Sequence, residues 1–253
     1  MEIKHLNFSY GKSKVLKDIN VKFKEGSITT IIGSNGSGKS TLLNLCTKNL
    51  VTRQGKITLK GKNIKDIKYK EFAQQVAIVH QQNRIRGDIT VEQFVSYGRT
   101  PYLKPLRRYT EKDYEEVEWA LELTKLLDFK NEEIEKLSGG QKQRVFIAMA
   151  LAQKSNILFL DEPTTYLDIK YQFDILNLIK KLNKNLGITI IMVLHDINQA
   201  INYSDEVVGM LDGKIKFKGS PNRVLDNENL SEIYDISLKV EEVCGNKVVL
   251  QDQ

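Results

Sequence analysis

Cysteine is scarce in this chain. Cys46 and Cys244 are the two in 253 residues, and they lack the close spacing of a metal site. Two distant thiols exclude a disulfide-built scaffold and suit a reducing interior, where either can be a plain buried thiol. Long apolar runs are missing as well. The longest, about Ile188 to Leu194, falls far short of the ~18–20 residues that span a bilayer. Met1-Glu2-Ile3-Lys4-His5 opens directly into alternating residues, so no signal peptide is expected. With 4 prolines, no low-complexity linker and no internal repeat, neither a disordered chain nor a solenoid fits. What remains is ordinary for a soluble globular protein: 41% hydrophobic and 28% charged residues, enough for one sizeable α/β domain with room for a subdomain.

The net charge of +6 raises nucleic acid as a partner. Its distribution argues against that, because Lys and Arg are scattered among Asp and Glu. The nearest approach to a basic patch, Lys104-Pro105-Leu106-Arg107-Arg108-Tyr109, reads first as a solvated loop and second as a partner contact.

One stretch organises the rest: Gly33-Ser34-Asn35-Gly36-Ser37-Gly38-Lys39-Ser40-Thr41. Before it, Ser27 to Ile32 is a β-branched run that reads as a buried strand. After it, Thr41 to Cys46 lacks Gly and Pro and continues as a helix. Strand, glycine turn and helix form the context of a phosphate-binding loop rather than a surface turn. The glycines allow close approach to an anion, and the loop N–H groups with the helix N-terminus point at it. Lys39 supplies charge to the outer phosphates, and the Ser40 hydroxyl suits Mg²⁺. The expected ligand is a nucleoside triphosphate.

Along the chain, residues 2–8 and 19–23 alternate as half-buried strands, and 56–59 adds a hairpin-like piece. Together with the strand at 28–32 they predict a mixed sheet beside a parallel core. Residues 76–79 form another buried strand. Between about 88 and 153 the pattern turns helical. One helix is predicted from Val91 to Tyr97, stopped by Gly98 with Pro101 beyond. A second runs from a capping box at Thr110 through Leu127, with Tyr114, Val117, Leu121 and Thr124 as its packing face. A third, about Gly140 to Ala152, places Val145, Ala148, Met149 and Ala152 on one stripe. Apolar runs at 156–160 and 188–194, joined by a helix at about 169–185, make a β-α-β unit. A hairpin at 206–211 and 214–218, two short helices and a strand-like tail follow.

In open α/β sheets, ligands lie beyond the carboxyl ends of the strands. Strand 76–79 leads into Gln81, strand 156–160 into Asp161-Glu162, and strand 188–194 into His195. In one parallel sheet these ends would converge on the phosphate loop. Asp161 would then hold the Mg²⁺ water shell. Glu162 would polarise an attacking water as general base, and His195 would hydrogen-bond the γ-phosphate. Singly, the acidic pair could cap a helix and the histidine could be structural; occurring together behind the loop, they favour hydrolysis. Leu137-Ser138-Gly139-Gly140-Gln141 adds a second anion site, with Ser138 as helix N-cap. It is too remote in sequence to serve the same phosphates within one chain. A head-to-tail homodimer solves this, each ATP lying between one chain's phosphate loop and the other's Ser138 corner.

These motifs, in this order, resemble the ATP-binding subunits of ABC transporters over about residues 1 to 235. Gly33 to Ser40 is similar to the Walker A loop, Leu137 to Gln141 to the signature, and Ile157 to Pro163 to Walker B. Tyr166-Leu167-Asp168 resembles the D-loop, which brings Asp168 to the nucleotide, and His195 the switch histidine. The resemblance implies that Tyr10 stacks on adenine and that Gln81, with Gln82 as adjacent rival, senses Mg²⁺ and faces a membrane partner. His80 departs from it, since the family usually has proline there. The implied fold is a P-loop NTPase ABC cassette of α/β class, with a RecA-like mixed-sheet core and an antiparallel β subdomain. A helical subdomain, about 88–153, would be inserted into a single ATP-binding domain at 1–235, and 236–253 would be a C-terminal appendage.

Finer segments, among them Tyr97-Gly98-Arg99-Thr100-Pro101-Tyr102 and Asp161 to Asp168, resemble importers of iron–siderophore complexes, haem and cobalamin. The siderophore branch is the nearest in wording. The implied activity is ATP hydrolysis coupled to transport, with ATP and Mg²⁺ bound, at the cytoplasmic face of the membrane. Permease subunits would be direct partners and a substrate-binding protein an indirect one. The alternatives are a haem or cobalamin importer ATPase, or a soluble ABC ATPase acting on nucleic acid or ribosomes. About 97 positions between Ser40 and Leu137 leave no room for the long coiled-coil insertion usual in the latter.

Overall fold

A computed structural model describes residues 1–81, 87–104, 108–243 and 246–251, the side chain of residue 246 excepted. Gln82, Cys244 and the centre of the basic segment, residues 105–107, lie outside the described residues.

The chain opens with strands β1 (Glu2–Tyr10), β2 (Ser13–Lys22) and β3 (Ile28–Ile32), then helix α1 (Lys39–Cys46). Strands β4 (Gln54–Leu59) and β5 (Lys62–Asn63) precede helix α2 (Tyr69–Ala73) and strand β6 (Val76–Val79). Helices α3 (Val91–Ser96), α4 (Glu111–Leu123) and α5 (Gly139–Ala152) lead to strand β7 (Ile157–Asp161). Helix α6 (Ile169–Leu186), strand β8 (Thr189–Val193) and helix α7 (Ile197–Tyr203) come next. Strands β9 (Glu206–Leu211) and β10 (Lys214–Gly219), helices α8 (Pro221–Val224) and α9 (Asn227–Tyr234), and hairpin β11 (Leu238–Val243) with β12 (Asn246–Gln251) follow. No helix among the described residues is long and apolar enough to cross a membrane. The chain divides into two compact units, one of Met1–Asp66 with Thr189–Gln253, the other of Ile67–Ile188.

In the first unit, β1 pairs antiparallel with β2 and β4, and β5 pairs antiparallel with β4. A second group carries the core: β3 runs parallel to both β8 and β9, and β10 pairs antiparallel with β9. Every residue of β3 and β8 is buried, as near-continuous β-branched runs require when both faces of a strand are covered. The expected mixed sheet is therefore two sheets within this unit. The antiparallel strands at the N-terminus stand apart from β3, and the 206–219 hairpin joins β3 instead. Leu42, Leu43 and Leu45 of α1 are fully buried, each contributing about 1.5–3 kcal/mol on area grounds.

In the second unit, β6 and β7 pair in parallel, and α6 buries Ile175, Leu176, Ile179 and Leu182 as one helical stripe. Gly187, at φ 65°, terminates that helix in the left-handed conformation. Four helical expectations need correction here. The 91–97 helix does not stop at Gly98; a 3₁₀ segment carries the chain through Gly98 and Pro101 to Tyr102. Thr110 does form the capping box with Asp113, but α4 ends at Leu123, where the Thr124 hydroxyl donates to the Ala120 carbonyl and Lys125 turns left-handed. Tyr114 is 53% exposed beside Tyr109, while Val117, Leu121 and Thr124 are buried. Helix α5 has no single apolar stripe: Val145, Phe146, Ile147, Ala148, Ala150, Leu151 and Ala152 are all buried, so it is covered nearly all round.

Candidate functional site

Two strand-end arrangements carry the chemistry, one in each unit, and both follow from parallel register. In the first unit Ile31 of β3 lies opposite Val193 of β8. Two residues on, the strands deliver Gly33 and His195 at the same sheet end, joined at the step before by Leu194 N–H donating to the Ile31 carbonyl. His195 is exposed, and Asp196 behind it caps α7 by accepting from the Gln199 N–H at 2.9 Å. That cap was not anticipated, although Asp followed three residues later by Gln is a readable helix start.

The loop from Gly33 to Thr41 turns on its glycines. A Cβ at Gly33, φ 146°, would stand 2.1 Å from the Met210 carbonyl oxygen, so only glycine fits. Gly38, left-handed at φ 99°, is the N-cap of α1 and supplies no side-chain cap, and no acidic residue occupies the first turn. Lys39, 6% exposed, donates from Nζ to the carbonyls of Gly33 at 2.8 Å and Ser34 at 2.9 Å. Ser37 Oγ is buried without a hydrogen-bond partner, Asn35 is exposed, and Ser40 and Thr41 are half-buried in the first helical turn. A helix terminus without a side-chain cap, a buried ammonium and an orphan hydroxyl suit a polyphosphate.

Other residues support the loop that its own sequence does not show. Gly213, in the β9–β10 turn, donates its N–H to Ser37 O at 3.1 Å and accepts from Lys17 N–H at 2.8 Å. The Tyr234 hydroxyl is buried close to the Gly33 backbone without completing a hydrogen bond. Burial pushes it up to about 12, the Gly33 N–H tempering the rise. Neither contact is local, and no signal in the sequence announces them. Tyr10 ends β1, is 52% exposed, and meets Phe8 edge-on at 4.9 Å.

In the second unit Val79 of β6 lies opposite Leu160 of β7. Two residues on, Gln81 and Glu162 meet, the Gln81 amide donating from Nε2 to Glu162 Oε2. Thr165 Oγ1 donates to the same oxygen at 3.1 Å. Asp161 is the last residue of β7 and is buried, while Glu162 is half-buried in the left-handed conformation at φ 53°. A glutamate held there is uncommon backbone geometry, of the kind that marks functional turns. Ser138 caps α5 through a reciprocal box: it accepts from Gln141 N–H at 3.3 Å, and Gln141 Oε1 accepts from Ser138 N–H at 2.9 Å. A Cβ on Gly140 would come within 2.6 Å of the Tyr171 ring, and one on Gly139 within 3.6 Å of Leu167. The 138–141 corner thus packs against the segment around Asp168. Asp168 itself is exposed at the N-cap of α6 and makes no side-chain cap bond.

The family model described as "ABC transporter" matches residues 16–165. The chain is 41% identical over 233 residues, 92% of its length and 86% of the relative's, to the petrobactin import ATP-binding protein FpuC of Bacillus anthracis. It is 37% identical to the ferric enterobactin transport ATP-binding protein FepC of Escherichia coli (strain K12), covering 97% of this chain and 91% of that one. Among solved structures, the dimeric MJ0796, a bacterial ABC transporter cassette, superposes with a TM-score of 0.75 at 29% identity, over 87% of this chain and 98% of that one. With its glycine loop, its Ser138 corner and near-full-length likeness to import subunits, this chain belongs to the ATP-binding proteins of the ABC transporter family.

Proposed function

We propose that the chain is the ATPase of an importer that moves an iron chelate of the siderophore class, working as a head-to-tail homodimer against a membrane permease. The observation that carries the reading is the loop Gly33–Thr41, closed on Lys39 at the uncapped start of α1. Lys39 and the backbone of Ser34 to Gly38 bind the phosphates, and Tyr10 offers its exposed ring to adenine. Ser40, Gln81 and Asp161 contribute hydroxyl, amide and carboxylate oxygens, the hard donors that Mg²⁺ prefers. Bound Mg²⁺ would offset phosphate charge as the terminal bond breaks.

Glu162 is the general base. Gln81 and Thr165 fix one of its oxygens, which holds the carboxylate in one rotamer. His195 hydrogen-bonds the γ-phosphate. Ser138, Gly139, Gly140 and Gln141 present a helix N-terminus to the ATP of the partner chain, with Asp168 beside them. ATP is thereby bound by both chains only in the closed dimer, and losing the γ-phosphate removes the link. Gln81 faces the permease, at the cytoplasmic side, and the stretch near 81–109 carries the motion to it, with a substrate-binding protein as the indirect partner. The proposed architecture is one ATP-binding domain over 1–235 with a helical insertion at about 88–153 and an appendage from 236. The cargo reading rests on the names of the relatives, ferric enterobactin among them.

Glu162→Gln tests the assignment. Phosphate release should fall about 10²–10⁴-fold while ATP is still bound, and the protein should elute as a dimer in ATP. Turnover near the wild-type rate would remove Glu162 as the base.

A further inference from the structure

The segment Tyr97-Gly98-Arg99-Thr100-Pro101-Tyr102 has no part in the chemistry above, yet it forms the centre of a buried polar network in the second unit. The Arg99 guanidinium is 4% exposed as a residue. Its Nε donates to Asp113 Oδ1 at 2.9 Å and its Nη1 to the Ala152 carbonyl, the end of α5, at 2.6 Å. The guanidinium carbon lies 4.0 Å from the centre of the Tyr102 ring. Tyr102 donates its hydroxyl to the Gln153 carbonyl at 2.9 Å. Gln153 donates in turn to the carbonyls of Ala73 and Val76, where β6 begins. Gln74 closes the ring by donating to the Pro101 carbonyl at 2.9 Å. Gly98 permits this approach, since a Cβ there would lie 2.1 Å from the Met149 carbonyl oxygen.

Two elements leave this knot. Helix α5 has Ser138 at its far end, and β6 has Gln81 beyond its far end. A buried ion pair adds little net stability over apolar packing of the same volume, but its directional bonds fix geometry. We propose that Arg99 is a positioning residue. By fixing Ala152 at the end of α5 against Asp113 and the Tyr102 ring, it steadies the tie that Gln153 makes from α5 to Ala73 and Val76 at the start of β6. It thereby holds the Ser138–Gln141 corner in register with Gln81, so that ATP-driven pairing and the Gln81–Glu162 contact change together. This rests on the dimer reading above.

The test uses the full chain with Arg99→Lys and with the double variant Arg99→Met, Asp113→Asn, which leaves no buried charge unpaired. Binding of a fluorescent ATP analogue should stay within about two-fold of wild type, because the phosphate loop is untouched. Amide exchange of residues 139–144 and 76–81 should quicken about ten-fold or more, and the protein concentration giving half-maximal ATPase should rise by a similar factor. Arg99→Lys keeps a charge for Asp113 but cannot also reach Ala152, so it should show the same exchange change with little loss of thermal stability. Unchanged exchange in both variants would overturn the proposal. So would a loss of nucleotide binding in step with the melting temperature, which would make Arg99 only a stabiliser. If wild-type ATPase shows no dependence on protein concentration, the dimer reading fails, and the exchange measurement still decides the clamp.

Discussion

At the residue scale, burial decides reactivity as much as residue type does. Cys46 closes α1 with no exposed surface, and desolvation pushes its thiol up to about 12. The thiolate that alkylating agents require is therefore almost absent at neutral pH. In a Cys244→Ser protein, iodoacetamide at about pH 8 should leave the native chain unlabelled and modify it fully after denaturation. Rapid native labelling would show that α1 opens readily. Lys39 is the opposite case, a buried cation that donates to two carbonyls of its own loop, Gly33 and Ser34, only a few positions before it in the chain. Glu162 could be placed after a strand from its apolar run, but its left-handed backbone could not. That conformation reflects the turn that follows, where Thr165 N–H donates to the Glu162 carbonyl.

At the element scale, turns that look generic acquire duties through what they touch. Asp212-Gly213 is legible as a two-residue hairpin turn, and both residues adopt positive φ, 48° and 75°. Its contact with the phosphate loop is not legible. A Cβ on Gly213 would meet the Val15 carbonyl oxygen at 2.0 Å. Gly213→Ala should therefore cost about 3 kcal/mol or more and weaken nucleotide binding. Gly11→Ala, at φ 57° with open space around it, should cost only about 1 kcal/mol. Equal melting temperatures for the two would contradict this.

The Thr110 cap of α4 makes a second case. Burial alone would raise the Asp113 carboxyl, but the Thr110 N–H and hydroxyl and the Arg99 guanidinium outweigh it and hold it below the ordinary 3.8. A carboxylate lowered by folding contributes stability that is present above its unfolded value and is lost as pH falls through the lower folded one. The stability gap between wild type and Asp113→Asn should thus be widest above about pH 5 and shrink in acid below about pH 4. A gap that widens in acid would reverse the sign and remove the assigned cause.

For the whole molecule, the question is where each ATP finds its second contact. If the Ser138 corner acts across a dimer, inactive Lys39→Ala and inactive Ser138→Arg chains should complement one another. Mixed in equal amounts, half of the pairs hold one intact composite site, giving about a quarter of wild-type phosphate release. Absence of any recovery, with mixed pairs demonstrated by differential tagging, would place both contacts in one chain.

The sequence by itself determined whatever depends on neighbours within a few positions. The glycine loop, the reciprocal caps at Ser138 and Thr110, the buried strands at 28–32 and 76–79, and the turn at Asp212-Gly213 follow from backbone preferences and short hydrogen bonds. Tertiary structure alone decided which strands lie side by side, and hence that Gln81 meets Glu162 and that Gly33 leaves the sheet beside His195. It also decided that Arg99 finds Asp113 and Ala152, and that Gly213 braces Ser37. Those partners are far apart along the chain, and their bonds form only when packing of the whole core has set the register between them.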